Sequence, residues 1–126
     1  MPVTHRLSRK HSVGGVDIEV SESVSVGAEA NIDETIPASS TNKEVAFVMD
    51  ASQMKTLMIT ADKACTIKTN DGTTPDDTIT LTAGASLMWS ATSGLANPFS
   101  ADVTALFVTC TDETLLRIRA GYDPTV

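Results

Sequence analysis

The sequence predicts an all-β protein, an antiparallel β-sandwich body with an extended N-terminal arm. Three observations lead there. Apolar residues recur mainly with period two, the repeat of a strand with one wet face. Turn signals return about every 8–12 residues, the spacing of a sandwich or closed barrel. Ser and Thr supply 30 of 126 residues, and Thr in particular falls on the polar parity of strands, where a β-branched hydroxyl suits a pleated surface. A chain of 126 residues and 13.3 kDa is one domain of ordinary size. Surface scaling gives roughly 6,400 Å² folded against roughly 19,000 Å² unfolded, enough burial for a core without staples.

The first element is the longest. Val16, Ile18, Val20, Val24, Val26, Ala28, Ala30 and Ile32 share one parity, and Asp17, Glu19, Ser21, Ser23, Ser25, Glu29, Asn31 and Asp33 occupy the other. Only Glu22 breaks the apolar side. Seventeen extended residues would reach roughly 55 Å, longer than such a domain is wide. The segment therefore bends, with Glu22 and Gly27 offering the place, or leaves the body as an arm whose apolar side lies on another subunit. Residues 1–36 are accordingly expected to form a tail and arm, and residues 37–126 the body.

After Pro37 and a polar turn at 38–42, Val45, Phe47 and Met49 form one alternating strand and Met54 to Thr60 the next, joined by a turn at Asp50 to Gln53 and expected to be sheet neighbours. Cys65 and Ile67 face away from Thr66 and Lys68. Thr69 to Gly72 then carries hairpin-turn chemistry. Ile79 and Leu81 alternate with threonines, Leu87 to Trp89 follows the Ala83-Gly84 turn, and Gly94 to Pro98 forms a longer loop. The near-continuous apolar run from Val103 to Cys110 predicts a central strand covered on both faces, and Leu116 and Ile118 between Arg117 and Arg119 close the domain. Helix is limited to one turn capped by Ser100.

The net charge is −7, with residues 1–11 carrying Arg6, Arg9 and Lys10 and no acid, so six cations face 16 acids in the remainder, a sum of −10. An acidic body repels phosphate backbones, which argues against nucleic acid as a partner. The basic tip reads either as a solvated terminus or as a docking tail. No apolar run reaches the roughly 20 residues of a membrane helix, and none follows the N-terminal basic residues as in a signal peptide. The expectation is a soluble chain made in the cytosol, with no membrane partner. Cys65 and Cys110 are expected to be buried thiols, with a disulfide left open.

Catalytic chemistry finds little to work with. The only histidines, His5 and His11, lie in the expected tail, which argues against a cupin-like metal site and against a nucleophile with an imidazole base. Five aromatics, mostly at core parity, do not suggest a sugar cleft for a carboxylate-pair glycosidase. Asn70, Asp71, Asp76 and Asp77 offer oxygens for Ca²⁺ but match no EF-hand spacing and read equally as a turn. Trp89 is either a core anchor or a partly exposed interface anchor, and Phe99 in Asn97-Pro98-Phe99 either caps the sandwich or docks into a neighbour. No cofactor, metal or catalytic residue is expected. The candidate interface residues are Arg6, Arg9, Lys10, Val16, Ile18, Val20, Val24, Val26, Trp89 and Phe99.

The segments Ile67-Lys68-Thr69-Asn70, Leu81-Thr82-Ala83-Gly84 into Leu87-Met88-Trp89-Ser90, Asn97-Pro98-Phe99, Leu106-Phe107-Val108-Thr109 and Leu116-Arg117-Ile118-Arg119 give residues 60–119 a pattern that resembles the jelly-roll-type head decoration, or cement, proteins of tailed bacteriophages. The resemblance implies a jelly-roll-like sandwich and a structural role without an active site. Such a protein is made in the host cytoplasm and sits on the virion surface, bridging joints between major capsid protein subunits, with copies of itself as trimers or dimers. A carbohydrate- or receptor-binding module on a virion or cell surface is the alternative, and it requires exposed aromatics such as Trp89 or Tyr122.

Overall fold

Each of these strands has one apolar face, so two sheets must cover one another to keep water from both. The computed structural model describes residues 3–124; the first two residues of the expected tail and the last two of the body lie outside the described residues. Ten strands follow in order: β1 (Val3–Val13), β2 (Val16–Val26), β3 (Ala28–Ile36), β4 (Ser40–Val45), β5 (Met54–Ala61), β6 (Cys65–Thr69), β7 (Thr78–Leu81), β8 (Ser86–Ser90), β9 (Leu106–Cys110) and β10 (Thr114–Tyr122). One sheet has the order β3-β10-β5-β8, the other β4-β9-β6-β7, and β1 and β2 form a separate two-stranded sheet. All the pairings are antiparallel. The body is a β-sandwich.

Its pairs are nested: β3 with β10, β4 with β9, β5 with β8 and β6 with β7, as though one long hairpin had been rolled into two sheets. Within the first sheet Ile32, Ile118 and Ile59 lie in one cross-strand row. Leu57, Ile59, Leu116 and Ile118 meet Ile67, Leu106 and Val108 of the second sheet in a single core. Each fully buried side chain of this size contributes about 1.5–3 kcal/mol.

One expected pair of neighbours is not a pair, and several expected element bounds shift. The strand expected over Val45 to Met49 ends at Val45, and Phe47 and Met49 plug the interior as the chain crosses to the other sheet, so β4 and β5 lie in different sheets. Met49 bridges to Val103, outside any strand. The run from Val103 to Cys110 yields only β9, interior in its sheet but covered on one face, because Phe107 and Thr109 point outward and stay partly exposed. Ser100 caps no helix; its N–H donates to Asp77. The β6 and β7 strands do form a hairpin, but through the long loop 70–77 instead of a tight turn at Thr69 to Gly72.

The N-terminal third also departs from the expectation of an unpaired arm. Its long alternation breaks at Gly27, whose N–H donates to Tyr122 O (3.2 Å) and Asp123 Oδ1 (2.8 Å). Beyond that point β3 pairs along β10, which puts residues 28–36 in the sandwich. Residues 3–13 are no tail: β1 pairs with β2 throughout. Gly14 and Gly15, with φ of +57° and +82°, supply the two left-handed positions of a two-residue hairpin turn.

The root of this hairpin sits on the outer face of the first sheet, where Leu7, Val24 and Val26 pack with Met88 of β8. Gly121 of β10 permits the approach: a Cβ there would lie 2.7 Å from Thr56 Oγ1, 2.8 Å from Val26 Cγ1 and 2.9 Å from His5 Cε1. Gly121→Ala is therefore expected to lose about 1–3 kcal/mol in urea unfolding, with hydrogen-exchange protection falling first in β1 and β2 while β5 and β10 keep theirs. Unchanged stability and protection would contradict the tight seat.

Candidate docking hairpin

Directly opposed residues of an antiparallel pair share a face. The register Val13↔Val16, His11↔Ile18, Arg9↔Val20, Leu7↔Glu22, His5↔Val24 and Val3↔Val26 therefore builds one face of the hairpin from the alternating valines and every second residue of β1. The other face carries Thr4, Arg6, Ser8, Lys10 and Ser12 opposite Ser25, Ser23, Ser21, Glu19 and Asp17. It is wholly polar.

The apolar face divides into two zones. Toward the root Val24 is 7% exposed and Val26 1%, covered by this chain's own first sheet. These two candidates are thus internal packing residues and not interface residues: the break at Gly27 folds their side back over β5 and β8. Toward the tip Val16, Ile18 and Val20 are 67%, 66% and 56% exposed, and Val13 opposite is exposed as well. Residues 11–20 are exposed on both parities, so the last three residues of β1 and the first five of β2, the longer run roughly 17 Å, extend past the cover of the first sheet. The molecule accordingly exposes 7119 Å², above the roughly 6,400 Å² of a compact chain of this mass. Leu95, exposed in the loop after β8, joins Ile18 and Val20 along one groove.

Polar contacts hold the root. Glu22 is the residue that breaks the apolar alternation, and it accepts hydrogen bonds from Ser90 Oγ, from Thr92 Oγ1 (2.8 Å) and from Arg9 Nη1 (3.4 Å). Arg9 also reaches the Met88 carbonyl at 3.5 Å. His5 bridges Thr56 Oγ1 (2.7 Å) and Glu29 Oε2 (3.0 Å). The basic tip is largely neutralised within the hairpin, since Arg9 faces Glu22 and Lys10 lies 3.6 Å from Asp17; Arg6 is exposed and forms no ion pair among the described residues. Arg6, Arg9 and Lys10 balance Asp17, Glu19 and Glu22, so the net charge of −7 belongs to the remainder of the chain.

Two other candidates lie in the core. Trp89 is buried and donates its indole N–H to Leu95 O at 3.0 Å, which fixes the loop beneath Leu95. Phe99 is buried against Phe47, with ring centroids 6.2 Å apart. Neither offers a ring face to a partner or a sugar. The oxygen-rich loop spends its oxygens internally. Asn70 receives the Thr104 N–H and donates to Asp76 Oδ2 and Asp102 O, and Asp71 accepts from the backbone of Thr73 and Thr74, which holds its carboxyl below the usual range. Among the described residues no group of three or more His, Cys, Asp or Glu side chains is arranged to hold a metal ion. Sequence reasoning missed β1 and the Gly14-Gly15 turn. The Gly-Gly pair was the available signal, but histidine and arginine at His5, Arg9 and His11 interrupt the apolar alternation of β1.

Comparisons with models of protein families, with curated proteins and with solved structures found no match.

The bonds from Ser90 and Thr92, followed by Arg9, hold the Glu22 carboxyl below its ordinary value. A carboxylate depressed in the folded state stabilises it above its unfolded pKa, and that contribution disappears as pH falls through the folded value. Acidification is therefore expected to loosen the hairpin root, read as exchange of β1 and β2 amides. Glu22→Gln should remove most of that acid-range dependence; an identical pH profile in the variant would contradict the assignment.

Proposed function

We propose that this chain is a non-catalytic structural protein of a virion, a head decoration protein that binds the outside of a tailed-phage capsid and cements contacts between major capsid protein subunits. It would be made in the host cytoplasm and assemble on the capsid surface with copies of itself, as trimers or dimers. The carrying observation is the projecting hairpin tip, anchored at its root and bearing the uncovered row Val13, Val16, Ile18 and Val20. The nested pairing of β3 to β10 supports reading the body as a jelly roll of eight strands in two sheets, the scaffold that the sequence resemblance implies.

Magnitudes favour a repeating partner. Burying the exposed remainder of four branched side chains supplies about 4–8 kcal/mol, against an association cost of about 4–15 kcal/mol. A single hairpin holds weakly, and many copies on a lattice convert weak contacts into firm attachment through effective concentration. A two-stranded hairpin is also marginal by itself in water, so the tip gains order when a partner covers its apolar face. A capsid surface provides both the cover and the repetition.

The test compares Ile18→Thr/Val20→Thr, which keeps β-branched side chains at exposed strand positions, with Val24→Asp. The double variant should unfold within about 0.5 kcal/mol of the parent, as exposed substitutions do, yet lose at least about 100-fold in apparent affinity for expanded heads in co-sedimentation, a drop of about 2.8 kcal/mol. Val24→Asp should instead lose about 3 kcal/mol or more of fold stability, the cost of an unpaired buried charge. Failure of the parent chain to bind heads, or equal binding by the double variant, would overturn the proposal.

A further inference from the structure

Cys65 and Cys110 are directly opposed on the neighbouring strands β6 and β9. Both are buried free thiols, and both lie on the inner parity, with Ile67 and Val108. Their place in the ladder follows from one bond. Asn70 N–H donates to Ala105 O at 2.9 Å, and these two residues continue the register Thr69↔Leu106 that runs unshifted back to Cys65↔Cys110. Residues 70 and 105 are thus a hydrogen-bonded pair. Alternation along an antiparallel ladder makes 69/106, 67/108 and 65/110 the non-hydrogen-bonded pairs, whose Cα atoms lie about 4.5 Å apart with side chains closest. That separation falls at the near end of the range a disulfide spans.

Both cysteines, buried at 5% and 6% exposure, are among the residues lining an open groove of about 550 Å³, with Ser40, Thr66, Thr80 and Thr109. The Cys110 thiol donates to Pro37 O at 3.4 Å, a weak bond that a disulfide would surrender. Burial and the adjacent Cys110 push the Cys65 thiol up, so its reaction quickens as pH rises.

We propose that Cys65 and Cys110 form an oxidation site, in which a low-molecular-weight disulfide entering the groove converts the two thiols into a cross-strand bond that locks the second sheet. One cysteine thiolate attacks the small disulfide, breaks its S–S bond and forms a mixed disulfide while releasing one small thiol. The second cysteine thiolate attacks the protein-bound sulfur, forms the Cys65–Cys110 bond and expels the other small thiol. Two protein thiols are oxidised, one small disulfide is reduced to two thiols, and the two cysteine protons end on those thiols. The bond closes a loop of 44 intervening residues, which restricts the unfolded chain strongly. It is independent of the hairpin and of the capsid reading.

The test incubates the folded chain with oxidised glutathione at mildly alkaline pH. The expected product is a monomer lighter by two hydrogens, inert to maleimide, with one cross-linked peptide pair joining Cys65 to Cys110. Its thermal midpoint should rise by roughly 10 °C or more, and a thiol reductant should reverse the rise. Cys65→Ser should neither lose two hydrogens nor gain thermal stability. A persistent glutathione adduct, a disulfide between molecules, a lowered midpoint, or free thiols after the urea-unfolded chain has already oxidised would each overturn the proposal.

Discussion

Everything in this molecule follows from the pleat of its strands, which allows each strand to bury one face only. In the body the condition is met completely. The nested pairing brings two apolar faces into register across the interior, and Ile36, Leu57, Ile59, Ile67, Leu106, Val108, Leu116 and Ile118 exclude water together. In the hairpin it is met by halves. The first sheet has room on its outer face for the root, where Gly121 lacks a side chain and Met88 supplies apolar cover. It has no surface beneath the tip, so the same row of side chains that is internal at Val24 and Val26 is external at Val16, Ile18 and Val20.

Polar contacts sharpen that division. Glu22 interrupts the valine row at the point where the hairpin leaves the body, and the hydroxyls of Ser90 and Thr92 meet its carboxylate there. A valine at 22 would extend the apolar stripe; the glutamate instead ties the exit to the β8 edge. Charge divides in the same way, with a neutral hairpin attached to an acidic body. Acidic bodies repel one another over about a Debye length, while the neutral tip can approach a surface. This arrangement suits an element that reaches outward from a body spaced away from its neighbours.

Much of the fold is legible because period-two patterning survives single-sequence reading. The alternation at Ile79 and Leu81, the closing Leu116 and Ile118, and the inner cysteines are where parity puts them. Errors concentrate where a residue type serves two roles. Histidine and arginine on β1 share the face of Leu7, where His5 and Arg9 make polar contacts at the root, and they concealed the strand. Phe47 and Met49 are core residues on a crossing segment and imitated one. Trp89 and Phe99, the aromatics considered for contact, proved internal: Trp89 lies on the inner parity of β8 and donates its indole N–H to Leu95 O, and Phe99 packs against Phe47.

The sequence by itself determined the all-β fold class, the parity of most strands and the row of valines that covers or is covered, because these depend on local alternation and on the chemistry of each side chain. Only the tertiary structure decided which strands are neighbours, where the row passes from inside to outside, and that Cys65 and Cys110 oppose each other in a non-hydrogen-bonded register. Such facts depend on contacts between residues far apart in the chain, and on which surface the bend at Gly27 happens to meet, and no local pattern encodes either.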